Sequence, residues 1–253
     1  MPTHFNNRYK TIRKLTMTDT LDNTLTDPAT GLAYRLRAAA DTQGKAPCLI
    51  LLHGVGANES GFIDLARRID PDLVVILARG PLVLGPQQFA WFQVSFTASG
   101  PAINAQQAEA ARVMLGDFIA QLPQRHNIDP ARIWIAGFSQ GGIMSAGVAL
   151  TQPGQVAGFG ILSGRILPEV LPLVQAGPQL AALQGHVSHG VQDQVLGIHF
   201  ARKSREVLGE LGVPLSYHEY EEGHRLSGAM AGDFLQWLSL QLCKTTMQRT
   251  SFY

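Results

Sequence analysis

Short apolar runs alternate with longer segments of helical periodicity along the chain after residue 30. The apolar runs predict strands over Ala33–Arg37, Cys48–Leu52, Leu73–Leu77, Ile133–Phe138, Ala157–Leu162, Leu183–Ser188 and Leu215–Tyr220. The periodic segments predict helices over Gly61–Ile69, Ala105–His126, Gln140–Gln152, Val195–Leu211 and Ser227–Leu242. Strands that alternate with helices are typical of a mostly parallel central sheet with helices on both faces, so the pattern predicts an α/β fold.

The segment Arg79–Asn104 interrupts this alternation. It contains residues that disfavour regular structure, namely Pro81, Gly85, Pro86, Gly100 and Pro101, together with four aromatic rings at Phe89, Trp91, Phe92 and Phe96. A long loop in a compact domain is often functional, and its rings can either cover an apolar groove or pin the loop to the core. We take Trp91 and Phe92 as candidate substrate-binding residues and expect Phe96 to pack against the core.

Length and composition favour one enzyme-sized domain. A chain of 253 residues with 45% hydrophobic residues can bury one large core, which we predict to span residues 31–243. We expect residues 1–30 to form a disordered extension and residues 244–253 to form a tail. For the first sixteen residues the alternatives are an amphipathic transit segment and an overlong start that precedes the true start at Met17. The net charge of +1 gives no basic surface for nucleic acid.

The cysteines and the apolar runs bear on the compartment. The chain has two cysteines, Cys48 and Cys243, near its opposite ends, which does not suggest a disulfide framework and favours a reducing compartment. The run Cys48–Leu52 is far shorter than the roughly eighteen apolar residues of a membrane span. We therefore predict a cytoplasmic protein without a membrane span, and the sequence leaves a homodimer open.

The sequence Gly137-Phe138-Ser139-Gln140-Gly141 carries the strongest chemical signal. It lies between a predicted strand and a predicted helix, where small neighbours allow a tight turn that exposes the serine hydroxyl above the sheet. A serine hydroxyl is a poor nucleophile unless a histidine accepts its proton and a carboxylate orients that histidine. Ser139 is therefore a candidate nucleophile.

Two later loops supply the missing partners in the order acid, then histidine. Asp193 follows the strand predicted over Leu183–Ser188, and His224 follows the strand predicted over Leu215–Tyr220. The other candidates have less suitable positions, because they precede Ser139 or lie within strands or helices; they are His126, His186, His189, His199, His218, Asp129 and Asp233. We predict a Ser139–His224–Asp193 triad.

Acyl transfer also needs donors for the oxyanion that forms on the attacked carbonyl. The backbone N–H of Gln140 opens the predicted helix after Ser139, where the helix dipole favours negative charge. A second donor should follow an early strand, and the glycines of His53-Gly54-Val55-Gly56 allow close approach of the backbone there. We predict the N–H of Val55 as that donor, although an ordinary strand-ending turn remains the alternative.

Six segments together resemble the phospholipase/carboxylesterase branch of the α/β-hydrolases, which includes the acyl-protein thioesterases. They are Leu52-His53-Gly54-Val55-Gly56, Ala90-Trp91-Phe92, Gly137-Phe138-Ser139-Gln140-Gly141-Gly142, Leu162-Ser163-Gly164, His189-Gly190-Val191-Gln192-Asp193 and Gly223-His224. The resemblance implies an α/β-hydrolase fold, a Ser139–Asp193–His224 triad, Val55 and Gln140 as oxyanion donors, and no metal or organic cofactor. It also implies a small-molecule ester or thioester as substrate.

The chain departs from the thioesterase-like pattern at two places, which affects the expected substrate. Val55-Gly56-Ala57-Asn58 stands where those members usually have Leu-Gly-Asp, and Gln194-Val195-Leu196 follows Asp193 where a valine and a proline are usual. We therefore expect a serine carboxylesterase, with an acyl-protein thioesterase or lysophospholipase for long acyl chains as the alternative. A binding protein that retained the scaffold without turnover, and an acyltransferase that uses an acceptor other than water, are further alternatives.

Overall fold

The structure is a computed structural model that describes residues 20–40, 43–97 and 100–250. Within these ranges the strands are β1 (Leu25–Thr26), β2 (Ala33–Arg37), β3 (Ala46–Leu52), β4 (Val74–Ala78), β5 (Leu82–Gly85), β6 (Gln88–Ala90), β7 (Val94–Thr97), β8 (Gly100–Ile103), β9 (Ile128–Phe138), β10 (Gly158–Leu162), β11 (Gln184–Gly190) and β12 (Leu215–Tyr220). The α-helices are α1 (Ile63–Arg68), α2 (Ala105–Arg125), α3 (Gln140–Thr151), α4 (Pro178–Ala182), α5 (His199–Glu210) and α6 (Gly228–Thr250).

Eight strands form the central sheet in the order β1-β2-β4-β3-β9-β10-β11-β12. The pairs from β4 through β12 are all parallel, whereas β1 and β2 run antiparallel at one edge. Parallel neighbours need a long crossover between them, and the helices provide it. The mostly parallel sheet predicted from the alternation of strands and helices is confirmed.

Helices cover both faces of the sheet, which explains the continuous apolar runs of the central strands. Ile50 and Leu51 are neighbours on β3, both fully buried, and their side chains belong to the two separate apolar clusters of the protein. The first cluster contains residues of α2, α3 and α5, including Phe118, and the second contains residues of α1 and α6, including Phe234. Residues of the central strands therefore pack against helices, whichever face they occupy.

The parallel arrangement brings several loops to one edge of the sheet. Strands β3, β9, β11 and β12 run in the same direction, so their carboxyl ends lie at the same edge. The loops that follow these ends carry the predicted site residues Val55, Ser139, Asp193 and His224. Ligands of open α/β sheets bind at this edge for the same topological reason.

The segment Arg79–Asn104 is more regular than its composition predicts. It forms two antiparallel hairpins, β5-β6 and β7-β8, with Leu82 paired to Ala90 and Val94 paired to Ile103. The prediction that prolines and glycines exclude regular structure here was wrong, because a two-stranded ribbon leaves half of each strand's backbone groups unpaired and tolerates proline there. The expected packing of the Phe96 side chain lies outside the described part of the molecule.

The predicted chain ends also need correction. Residues 1–19 lie outside the described residues, but residues 20–30 are ordered rather than an extension: β1 pairs with β2, and Leu21 is fully buried. Asp27 accepts hydrogen bonds from the backbone and hydroxyl of Thr30 and pairs with Arg125. Helix α6 continues through residues 244–250, which were expected to form a tail. The domain assignment of residues 31–243 stays a prediction.

A buried carboxylate joins the antiparallel edge of the sheet to the loop after β3. Glu59 is 1% exposed and accepts hydrogen bonds from Arg35 Nε at 3.0 Å and from Arg79 Nε and Nη2, each at 2.6 Å. Burial raises the pKa of Glu59, but the hydrogen bonds from Arg79 and Arg35 outweigh it and lower the pKa to about 2. Glu59 therefore remains ionised at any pH at which the protein is expected to work.

We expect Glu59→Gln to lower the free energy of unfolding at pH 7 by about 3 kcal/mol, because two partly buried guanidinium groups lose their charged partner. Since the folded pKa of Glu59 is depressed, its contribution is complete above the ordinary value of 4.5 and disappears as the pH falls toward 2. Urea unfolding of wild type and variant at a series of pH values should show the difference shrinking below pH 4.5.

Glu206→Gln is the matched control, because Glu206 pairs with Lys203 on the exposed face of α5. Its effect should stay below about 1 kcal/mol. A loss for Glu59→Gln that does not change with pH would contradict the electrostatic explanation.

Candidate active site

Ser139 lies on a strained turn between β9 and α3. Its φ of 53° and ψ of −118° are in a region that residues with a side chain rarely adopt. Its N–H donates to the carbonyl of Leu162 on β10 at 2.8 Å. A Cβ atom on Gly137 would overlap the backbone of Gly141, and one on Gly141 would overlap the carbonyl of Leu52. The two glycines are therefore required by close backbone packing, as the sequence pattern predicts.

The structure brings the three predicted residues Ser139, His224 and Asp193 together. Nε2 of His224 lies 2.9 Å from Oγ of Ser139, and Nδ1 lies 2.6 Å from Oδ2 of Asp193. The ionised carboxylate can only accept, so Nδ1 carries the ring hydrogen and the unprotonated Nε2 accepts from the serine hydroxyl. The ring of His224 also packs against Phe138 with the centroids 5.0 Å apart. This arrangement can remove a proton from Ser139.

Asp193 is held as a carboxylate by donors from several directions. Its Oδ1 accepts from the backbone N–H groups of Val195 at 2.9 Å and Leu196 at 2.8 Å. Burial raises the pKa of Asp193, but hydrogen bonds from His189, His224 and the Leu196 N–H outweigh it and hold the pKa well below its usual range. Asp193 therefore stays ionised and keeps His224 in one tautomer.

His189 is a second neighbour of Asp193. Its Nε2 lies 2.6 Å from the carbonyl of Leu196 and 3.2 Å from Oδ2 of Asp193. A carbonyl only accepts, so Nε2 carries the hydrogen and is shared between the two oxygens. From the sequence, His189 has a less suitable position than His224, and its ring contacts the acid rather than Ser139.

Val55 and Gln140 flank Ser139. A Cβ atom on Gly54 would lie 3.3 Å from Cβ of Ser139, so the turn after β3 passes directly beside the serine. Gln140 is the first residue of α3, and an N–H at that position has no partner within the helix. Val55 and Gln140 line the same small cavity as Ser139. Both residues therefore border the space beside the Ser139 hydroxyl, and their role as oxyanion donors stays a prediction.

A network of hydrogen bonds connects the turn after β3, which carries Val55, with the start of α3, which carries Gln140. The side-chain oxygen of Gln140 accepts from the Trp91 N–H, and its side-chain nitrogen donates to the Phe92 carbonyl, each at 2.7 Å. The indole N–H of Trp91 donates to the carbonyl of His53 at 2.9 Å. His53 in turn accepts from the Gly80 N–H at Nε2. The segment between β6 and β7 therefore braces both the turn between β9 and α3, which carries Ser139, and the turn after β3.

The two predicted substrate-binding residues have different positions. Phe92 lines the cavity beside Ser139, whereas Trp91 is not among the residues that line it. Trp91 is 1% exposed, and its ring packs against His53 with the centroids 5.7 Å apart. Burial lowers the pKa of His53, which is consistent with the neutral ring that its hydrogen bond from Gly80 requires. Trp91 is therefore placed as a brace, the alternative that the sequence left open.

The cavity beside Ser139 is small and mostly apolar, with a volume of about 30 Å³. Its lining comes from the turn after β3, the segment that contains the two hairpins, the turn between β9 and α3 with the first residues of α3, and the loops after β10 and β11. The lining residues are Val55, Phe92, Val94, Pro101, Ile103, Ser139, Gln140, Ile143, Arg165, Val195 and Leu196. The cavity opens to solvent, and its enclosed part holds only a few heavy atoms.

Comparison with known proteins identifies the family of the chain. Residues 36–242 match the phospholipase/carboxylesterase family over most of the chain. The chain belongs to this family. Its members are hydrolases, so the fold and the class of enzyme predicted from the resemblance are confirmed.

Proteins similar to this chain are named as a thioesterase, a putative hydrolase and a carboxylesterase. Acyl-protein thioesterase 1 of Emericella nidulans is 27% identical over 201 residues, which cover 68% of this chain and 80% of that protein. The putative hydrolase MhqD of Bacillus subtilis is 23% identical, over 75% of this chain and 90% of that protein. The crystal structure of a carboxylesterase from Mesorhizobium loti has a TM-score of 0.72 and 24% identity, and covers 86% of this chain and 99% of that one.

Two features of the site beside Ser139 were not predicted from the sequence. Arg165 lines the cavity, and the only signal for it was its place just after β10, at the edge of the sheet where ligands bind. Gln140 was predicted for its backbone alone, although its side chain also holds Trp91 and Phe92.

Among the described residues, no helix combines the length and the apolar character needed to cross a membrane.

We expect Trp91→Phe to lower the free energy of unfolding by about 2 kcal/mol more than Trp134→Phe. Both substitutions replace a buried indole by a smaller ring, but only Trp91 donates a hydrogen bond, to His53. The Trp134 indole nitrogen has no partner in the described part of the chain. Urea unfolding of the two variants measures the difference. Equal losses would mean that ring volume, and not the hydrogen bond to the His53 carbonyl, stabilises this segment.

Proposed function

We propose that this family member is a carboxylesterase that hydrolyses short-chain carboxylic esters through an acyl-enzyme on Ser139. The observation that carries the proposal is the position of His224, whose ring nitrogens lie 2.9 Å from the Ser139 hydroxyl and 2.6 Å from the Asp193 carboxylate. In this proposal Ser139 is the nucleophile, His224 the general base and acid, and Asp193 the residue that orients His224.

The reaction divides into two balanced halves. Ser139 Oγ forms a bond to the ester carbonyl carbon while Nε2 of His224 takes the hydroxyl proton, and the bond to the alcohol oxygen then breaks as His224 returns that proton to it. Water next attacks the acyl-enzyme, and His224 accepts its proton and passes it to Ser139 as the carboxylic acid leaves. No oxidant, reductant or metal is needed for either half.

The oxyanion of each tetrahedral intermediate would bind the N–H groups of Val55 and Gln140. Removal of one such donor typically costs about 3 kcal/mol of transition-state stabilisation. The brace from Trp91 to His53 and the bonds from the Gln140 side chain support this role, because they hold both donors relative to Ser139 before a substrate binds. The negative charge of the oxyanion then develops beside donors that do not have to move to bind it.

The cavity volume of about 30 Å³ favours a short acyl group. A long acyl chain would extend beyond this volume, past the wall formed by Phe92 and by Val94 and Ile103 of the second hairpin. The second candidate is a thioesterase for long acyl chains, which is favoured by the names of relatives such as acyl-protein thioesterase 1 of Emericella nidulans. Cytoplasmic location, a homodimer and the absence of a cofactor stay predictions.

We expect Ser139→Ala to lower kcat/KM for p-nitrophenyl acetate about a millionfold, to the level of residual binding effects, because triad members act as a unit. Wild type should prefer acetate or butyrate over palmitate in the same p-nitrophenyl series, and a palmitoyl thioester tests the second candidate directly. Ester hydrolysis by Ser139→Ala at the wild-type rate would refute the proposed nucleophile.

Ser163→Ala is the matched control. Ser163 is also buried, also has a positive φ, of 50°, and follows the neighbouring strand β10. Its hydroxyl contacts only the Met230 sulfur among described residues, so its removal should change kcat/KM by less than about tenfold.

We expect Asp193→Asn to lower kcat about 10⁴-fold with little change in KM, because an amide cannot hold His224 in the required tautomer as a carboxylate does. Asp233→Asn is the comparison, since Asp233 also follows β12 along the chain but accepts from the Tyr220 hydroxyl instead. Steady-state kinetics on a short p-nitrophenyl ester separates the two. A larger loss of kcat for Asp233→Asn than for Asp193→Asn would mean that Asp233, and not Asp193, orients His224.

A further inference from the structure

One charged side chain lines the cavity beside Ser139. Of the described residues that form its wall, Arg165 alone carries a charge, and the others are apolar apart from Ser139 and Gln140. Arg165 follows Gly164 in the loop after β10, and a Cβ atom on Gly164 would lie 2.9 Å from the backbone oxygen of Ser139. The loop that carries the guanidinium is therefore packed against the nucleophile's own backbone.

Arg165 has no anionic partner in the described part of the chain. Its Nε is buried and has no hydrogen-bond partner there, and no carboxylate of a described residue forms an ion pair with it. Burial lowers the pKa of Arg165, against the smaller opposing effect of the exposed Glu169. Other arginines with partly buried side chains have a carboxylate partner, namely Arg35, Arg79, Arg112, Arg125 and Arg132.

The position of Arg165 is fixed from the other side by α5. Its guanidinium carbon lies over the ring of Phe200 at 4.5 Å from the centroid. The next residue, Ile166, donates its N–H to Ser204 Oγ, and that hydroxyl donates to the Phe200 carbonyl. A cation–π contact orients a guanidinium but offers no oxygen acceptor, so the N–H donors still lack their usual partner.

A guanidinium that is partly desolvated and has no carboxylate is costly unless a ligand supplies the missing charge. Its fork of N–H donors matches the two oxygens of a carboxylate. One cation lines the wall of the cavity, which suits a single negative charge better than a phosphate dianion.

We propose that the natural substrate is an ester that carries a carboxylate, which Arg165 binds beside Ser139. This inference rests on the proposed esterase function and specifies its substrate class. The carboxylate can belong to the acyl part, as in a half-ester of a dicarboxylic acid, or to the alcohol part. In either case it replaces the missing partner of Arg165 and places the ester carbonyl near Ser139.

Two pairs of substrates test the proposal. The acyl-side pair is mono-p-nitrophenyl adipate and its neutral methyl ester, and the alcohol-side pair is para-acetoxybenzoate and its neutral methyl ester. The readout is the ratio of kcat/KM for the anionic ester to that for its neutral partner, so that a general loss of activity cancels. We expect Arg165→Gln to lower this ratio about ten- to hundredfold in one pair, as for a charge-assisted hydrogen bond.

Arg205→Gln is the matched control, because Arg205 also lies over an aromatic ring, that of Tyr217, but is exposed outside the cavity. It removes the same charge and should leave both ratios within about twofold of wild type, because an exposed charge is screened. Arg165→Lys keeps the charge without the fork and should lower the ratio less than Arg165→Gln.

The outcomes separate the two proposals. Hydrolysis of the neutral esters that Ser139→Ala abolishes, with ratios that Arg165→Gln leaves unchanged in both pairs, would overturn the carboxylate inference alone. No hydrolysis of any ester by folded wild type would overturn the esterase proposal itself. Should Arg165→Gln fail to fold, the wild-type ratios decide, and a preference for the neutral ester in both pairs overturns the inference.

Discussion

The active-site geometry depends on the close approach of the first turn of α3 to the carboxyl end of β3. Gly141 lies directly against the carbonyl of Leu52, so no side chain can stand between them. This contact forces Ser139 into its positive-φ conformation and aligns the start of α3 with the turn that carries Val55. Backbone strain of this kind costs on the order of 1–3 kcal/mol and persists only where the surrounding packing over-determines it. Here the fully buried β3 and α3 provide that packing.

Buried polar groups fix the surroundings of Ser139 more specifically than apolar packing could. The Gln140 side chain satisfies one donor and one acceptor of the segment after β6, and Trp91 carries the connection on to the His53 carbonyl. Each bond contributes only about 1 kcal/mol net, but loss of one partner leaves a desolvated group behind. The network therefore penalises any displacement of one segment relative to the other.

The two charged groups beside the site show opposite solutions to burial. Asp193 receives four hydrogen bonds from this chain, which hold it as an anion and direct one of its oxygens to His224. Arg165, across the cavity, receives support from Phe200 but no acceptor among the described residues. A completed charge environment suits a group that orients another residue, whereas an incomplete one suits a group that awaits a ligand.

The sequence by itself determined the sheet and its two covered faces, and it predicted Ser139, Asp193 and His224 as a triad, because strand periodicity, chain order and the small residues around Ser139 can all be read along the chain. The common direction of the parallel strands then places the loops of Val55 and Asp193 at one edge of the sheet. Only the tertiary structure decided between groove and brace for Trp91, because that depends on whether a distant carbonyl lies within reach of the indole N–H. The same holds for Arg165: whether a guanidinium has a partner is a property of every loop packed around it, which no pattern of neighbouring residues encodes.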